Sequence, residues 1–115
     1  MNAIQKMNGQ LKRIRSTAGD MTLQKLQVLL VIAMAGDQGI SMSEISRQAT
    51  LSSSNTSKLV HGWTKLTAQK KPGPGFVTAD PDPMDLATKY CKLTPKGRDF
   101  VNTVIDSEGS QPATQ

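Results

Sequence analysis

Five short hydrogen-bonding side chains stand almost side by side in this sequence: Ser52, Ser53, Ser54, Asn55 and Ser57, followed within eight residues by Lys58, His61 and Lys65. Hydroxyls and a carboxamide each donate and accept hydrogen bonds, which suits them to matching the polar edges of another molecule. The cationic side chains that follow suit a surface carrying negative charge. Catalysis finds no support. No Ser-His-Asp, paired-carboxylate or phosphate-loop arrangement exists, and the "PGPG" of residues 72–75 lacks the Lys-Ser/Thr and helix that a phosphate-binding loop requires. His61 has no Cys, Asp or second His at ligand spacing. No metal or other cofactor is expected, and the chain reads as a non-enzyme.

The elements that position this cluster follow from local signals. Six small polar residues in a row, Ser52 to Ser57, resemble a linker, yet Thr56, Leu59, Val60, Trp63 and Thr67 share one face at 100° per residue. Ser54, Lys58, His61 and Lys65 share the opposite face. A linker has no reason to sort its residues so, and the run reads as the start of an amphipathic helix capped by Ser52. The apolar half of that helix includes Trp63, which reads as core.

Upstream, "SMSE" places Ser41 and Glu44 as a capping box for a helix through about Ala49. Before it, Thr22 caps "LQKLQVLLVIAMA", in which Leu26, Leu29, Leu30, Ala33 and Met34 form an apolar face, and Gly36 suits a left-handed stop. Residues 3–15 form a further helix with Ile4, Met7, Leu11 and Ile14 on one side. Downstream, "FVTA" and "ATKYCKL" read as strands around a "DPDPMD" turn. Cys91 falls in the second strand and is expected to be buried. Thr94 and Pro95 then start a helix carrying Phe100, Val101, Val104 and Ile105 in register. The Phe100, Val104 and Ile105 face is where the Ile4–Ile14 side is expected to pack, within or across subunits.

The chain of 115 residues has the length of one domain, with a single cysteine that excludes a disulfide framework. The most apolar run, residues 23–35, is interrupted by Gln24, Lys25 and Gln27 and is too short to span a bilayer. No secretory leader is visible, so a cytoplasmic protein with no membrane partner is expected. The charge is uneven. Residues 1–71 carry ten Lys and Arg against three acids, a surplus of seven, whereas residues 72–115 carry four against six. A basic surplus confined to part of a small domain points to a polyanion, with nucleic acid ahead of membrane.

The order helix, helix, short turn, helix, hairpin, helix describes a mainly α fold with a β-hairpin wing, a winged helix-turn-helix. In such a fold the second helix of the pair enters the major groove by its N-terminal end, which must be narrow. Ser53, Ser54, Asn55 and Ser57 are small enough, and the helix amides below them favour a phosphate. Capping alone explains Ser52 and Ser53, not the whole run. Ser52, Ser53, Ser54, Asn55, Ser57, Lys58, His61 and Lys65 are therefore the candidate DNA-binding residues, with Arg47 on the preceding helix and Lys89 in the wing.

The segments "ISMSEISRQATLSSSNTSKLVHGW", "DPMD" and "KLTPKG" resemble the MarR-type winged-helix transcriptional regulators, over residues 20 to 103. The resemblance implies a homodimer on double-stranded DNA that represses transcription, with two recognition helices in successive major grooves. It implies residues 1–20 and 95–107 as dimerisation helices around a DNA-binding unit at 21–94; the polar composition of 108–115 reads as a disordered tail. Two departures stand out. Where the family's wing carries Asp-x-Arg, this chain has Asp85-Leu86-Ala87, and an acidic tip is expected to stay outside the minor groove. The C-terminal helix is also short for an interlocked dimer. The alternative reading is a protein-interaction module that kept the scaffold and lost specific DNA contact. The sequence identifies no effector ligand.

Overall fold

The computed structural model describes residues 2–65, 71–82 and 85–105, with the side chains at 82, 85–88 and 105 outside that description. The expected positions of Thr67, the turn residues Pro83 and Met84, the Ile105 side chain and the tail 108–115 lie outside the described residues. Five helices and three strands follow one another: α1 (Ala3–Ala18), α2 (Leu23–Ala35), β1 (Ile40–Ser41), α3 (Met42–Ala49), α4 (Ser53–His61), β2 (Val77–Asp82), β3 (Asp85–Leu93) and α5 (Pro95–Ile105). This is the mainly α, winged-helix architecture that the sequence predicts.

Thr22, Ser41, Ser52 and Thr94 cap their helices as expected, although the capping box expected of Ser41 and Glu44 is only half made. Thr22 accepts from the Lys25 amide and Ser52 from the Asn55 amide, both at 3.2 Å, and Thr94 accepts from the Gly97 amide at 3.0 Å. These bonds satisfy amides that have no partner inside the first turn. Asn2 and Gln5 add a reciprocal capping box to α1. Ser41 caps α3 through the Glu44 amide at 3.2 Å, but the Glu44 carboxylate turns to Arg47 and Gln48.

Helix α2 departs from its expected one-sided face. Leu26, Val28, Leu29, Val31 and Ile32 are buried, whereas Met34 is 72% exposed. Helices α3 and α4 and strand β3 all pack on α2, so several of its sides are covered. The sheet also holds a strand that the sequence did not reveal. Its order is β1-β3-β2, all antiparallel, with Ile40 and Ala79 opposite Cys91 on its two sides. Cys91 is fully buried, as expected. The hairpin is longer than its composition suggested: Asp80 and Asp82 belong to β2 and Asp85 to β3. The ladder becomes irregular between Pro81 and Asp82, where proline has no amide to donate.

An aromatic column runs through the core. Trp63 stacks on Phe76 with ring centroids 5.9 Å apart, and Phe76 stacks on Phe100 at 4.5 Å. Of the apolar side of α1, Ile14 enters this core beside Phe100 and Val104, and Arg13 donates to the Val104 carbonyl at 3.3 Å. Ile4 and Met7, by contrast, are 81% and 62% exposed. The expected packing of that whole face on α5 therefore holds within one chain for Ile14 and not for Ile4 or Met7.

The "LTPKG" segment now has a physical reason. A Cβ on Gly97 would sit 2.1 Å from the Phe76 carbonyl oxygen, inside any allowed contact. The same carbonyl accepts the Thr94 amide at 2.9 Å, and the Thr94 hydroxyl donates to the Gly75 carbonyl at 2.7 Å. Gly97→Ala forces backbone against backbone and is expected to lower unfolding free energy by ~1–3 kcal/mol or more in urea titration. A variant as stable as the parent would show that α5 can shift away from β2.

Candidate nucleic-acid interface

The polar cluster is presented by the turn between α3 and α4. Thr50 ends α3 with a left-handed backbone at φ 57°, and its amide donates to the Arg47 and Ser46 carbonyls. The Leu51 amide donates to the Ser46 carbonyl at 2.9 Å. This tight reversal delivers Ser52 as the cap of α4. The buried side of α4 is held by Val60 and by Thr56, the one buried polar side chain among the described residues. Thr56 is satisfied because Ser46 on α3 lies 2.8 Å from its hydroxyl oxygen. The two helices of the pair are thus joined by a hydrogen bond as well as by packing.

On the outer side Ser52, Ser53, Ser54 and Lys58 are exposed, while Asn55 and Ser57 are half-buried. The first turn of α4 contains no acid. Its free amides and the positive end of the helix dipole are therefore not neutralised locally. Asn55 does not stand free: its Nδ2 donates at 3.4 Å to Oε1 of Gln24, on α2.

The later candidates divide. His61 is half-buried, with Nδ1 donating back to the Ser57 carbonyl at 2.7 Å. It is therefore turned onto its own helix. Lys65 does not extend the outer face of α4, because that helix ends at His61 and Gly62 caps it. The chain turns there so that Trp63 can reach α2, where its indole N–H donates to the Lys25 carbonyl at 2.8 Å. Lys65 remains exposed in the segment beyond. Lys89 is exposed on β3, opposite Pro81.

Arg47 is exposed on α3 but not free, since its guanidinium pairs with the Glu44 carboxylate. Hydrogen bonds from Arg47 and then Gln48 hold the Glu44 carboxyl down at about 2. With an unfolded value of roughly 4.3, the pair's contribution is complete above that pH and fades as pH falls through about 2. Near neutrality Glu44 offsets much of the charge that Arg47 could offer to a phosphate. For Cys91 burial, the dominant cause, pushes the thiol up to about 11 and leaves it protonated.

No group of three or more His, Cys, Asp or Glu side chains that could hold a metal occurs among the described residues. No single helix among them is long and apolar enough to cross a membrane. A cavity of about 720 Å3 is lined by Lys65, residues 72–75 and Lys96, and none of the polar start of α4 contributes to it.

Solved structures share this fold. The MepR–DNA complex of S. aureus aligns with a TM-score of 0.64 at 21% identity, over 94% of this chain and 78% of MepR. A transcriptional regulator of Thermotoga maritima aligns at 0.66 and 20%, over 90% of this chain and 64% of its own. A MarR family transcription regulator aligns at 0.59 and 14%, over 91% and 58%. No protein-family model matches the sequence, and no curated protein does. The fold is that of the MarR-type winged-helix transcriptional regulators.

Sequence spacing located the start of α4 and its cap but missed Gln24, whose contact with Asn55 joins residues 31 positions apart. Nothing in the local pattern of α2 marks it. The Glu44 pairing yields a test. Glu44→Gln releases Arg47, and DNA affinity is expected to rise, with the slope of log affinity against log salt steeper by about 0.9. An unchanged slope would show that Arg47 meets no phosphate.

Proposed function

We propose that this protein is a sequence-specific, double-stranded DNA-binding transcriptional regulator that acts as a repressor. The observation that carries this reading is the start of α4: a capped, acid-free helix end with Ser53, Ser54 and Lys58 exposed around it. Such an end is narrow and electropositive, and it can donate and accept. Those are the requirements of a helix that enters the major groove. The structural likeness to MepR, which is bound to DNA in its solved complex, supports the same reading.

In this scheme residues 21–94 form the DNA-binding unit. Ser52, Ser53, Ser54, Asn55 and Ser57 face base edges and the adjoining backbone, while Lys58 contacts phosphate. Arg47, His61, Lys65 and Lys89 supply further contacts with the backbone. The wing contributes little, because Asp80, Asp82 and Asp85 crowd its far end. Carboxylates near phosphates repel, and at physiological salt the screening length of ~8 Å leaves a close approach unfavourable.

The protein acts as a homodimer in the cytoplasm, with residues 1–20 and 95–107 supplying the contact. Supporting this, Ile4 and Met7 of α1 leave apolar surface uncovered in the single chain, Ile4 being 81% exposed. A two-fold axis would place two copies of α4 about one DNA turn apart.

Two measurements test these statements. Lys58→Ala should weaken binding to all sequences alike and flatten the salt dependence by about 0.9 in slope. Wild-type association that is weak and seen only at low salt would favour a protein-interaction module instead. Met7→Asp places a charge in the proposed contact, so sedimentation should shift from dimer to monomer with the fold intact. A wild-type monomer at high concentration would remove the dimer from the scheme.

A further inference from the structure

The first turn of α2 lies against α4 at both ends of that helix. Gln24 reaches the carboxamide of Asn55 in the first turn of α4, and the next residue, Lys25, holds Trp63 just beyond its last turn. Lys25 also lays its ammonium over the indole at 4.9 Å from the ring centre. The turn that carries Gln24 is itself fixed, since Thr22 caps it through the Lys25 amide. The acceptor offered to Asn55 therefore stands on an anchored backbone.

A carboxamide has two N–H donors and one carbonyl oxygen. In Asn55 one of those donors is taken by Gln24. Bidentate pairing requires that Gln24 take the N–H trans to Oδ1; the cis N–H and Oδ1 then remain, an adjacent donor and acceptor on a side chain that Gln24 restrains. In the major groove adenine offers the complementary pair, with N7 accepting and the N6 amino group donating. Guanine offers two acceptors, so Oδ1 would face O6 with no proton between them. Thymine offers one acceptor beside a methyl group, and cytosine a donor alone.

We infer that Gln24 is a positioning residue that fixes the Asn55 carboxamide for bidentate recognition of adenine, so that a residue of α2 sets the base preference of α4. The inference rests on the DNA-binding reading above. It differs from a bond that merely joins two helices in one respect: losing Gln24 relaxes discrimination at one base and leaves the others alone.

The test starts from duplex sites selected out of a random pool by the wild-type protein. Dissociation constants are then measured for the selected site and each single-base variant, with wild type, Asn55→Ala, Gln24→Met and Gln24→Glu. Melting temperatures are recorded alongside. Wild type is expected to lose about 5- to 150-fold in affinity when one particular adenine becomes guanine. Asn55→Ala should abolish that discrimination. Gln24→Met, which keeps the length but removes the acceptor, should cut it by roughly fivefold or more, with discrimination elsewhere and the melting temperature unchanged. Gln24→Glu retains an acceptor for Nδ2 and should keep the adenine preference, although its charge weakens binding to every site. A uniform loss across all positions with Gln24→Met would overturn the inference and make the contact structural. Specific binding in which the Asn55-dependent base is not adenine would sink this inference and leave the DNA-binding reading standing. Failure of the wild type to select any site would end both.

Discussion

The indole of Trp63 ties α2, the end of α4 and the start of the wing together and reaches α5 through Phe76, so the seating of α4 depends on it. Its N–H is bound by the Lys25 carbonyl, its ring faces Phe76, and its own carbonyl accepts the Phe76 amide at 2.9 Å and the Val77 amide at 3.2 Å. One residue thereby fixes the end of α4 against α2 and starts β2 at the same point. A side chain this large, almost wholly buried, supplies apolar contact together with one directional bond. Past His61 the winding tightens rather than stops at once, with the Trp63 amide on the Val60 carbonyl at 2.9 Å and the Thr64 amide on the His61 carbonyl at 3.2 Å.

Charge is organised around the same scaffold. The basic surplus lies in the first 71 residues, and the start of α4 adds a helix dipole with no acid in its first turn. The hairpin carries the opposite sign toward its far end, where Asp80, Asp82 and Asp85 outnumber Lys89, while Lys92 lies nearer its base. A polyanion approaching this molecule meets attraction at the helix and repulsion at the end of the wing. The pairing of Arg47 with Glu44 tempers the attractive side further. Electrostatics of this kind governs orientation as much as strength.

Much of this was legible in the sequence because it is local. Thr22, Ser41, Ser52 and Thr94 mark helix starts through bonds that span three residues, and the capped amides are where the spacing puts them. The hairpin is legible for the same reason, since its strands are neighbours in the chain. What sequence reading missed depends on distant partners. Strand β1 is two residues long and exists because β3, some fifty residues later, pairs with it. Helix α2 is covered on several sides by elements that its own periodicity cannot report, so Val28, Val31 and Ile32 are buried outside the apolar face that spacing predicts, while Met34 within it is exposed. The early end of α4 and the Gln24–Asn55 contact belong to the same class. In the candidate site, residue types and the helix start were readable; which side chains are already engaged was not. Asn55, His61 and Arg47 all have partners that spacing alone does not assign.

The approach of Gly97 to Phe76 has a mechanical consequence. Where two elements meet through side chains, rotamers can yield and a displacement of one is partly absorbed before it reaches the other. Here the Phe76 carbonyl rests against the Gly97 backbone and also holds the Thr94 amide, so no compliant layer lies between α5 and the start of β2. On the other side of Phe76, its amide is bound to the Trp63 carbonyl just past the end of α4. The path from α5 to the end of α4 is therefore short and stiff, built largely of backbone contacts. A torque applied to α5 would turn the base of the wing and the end of α4 with it, much as a rigid bracket transmits a load that a hinge would dissipate.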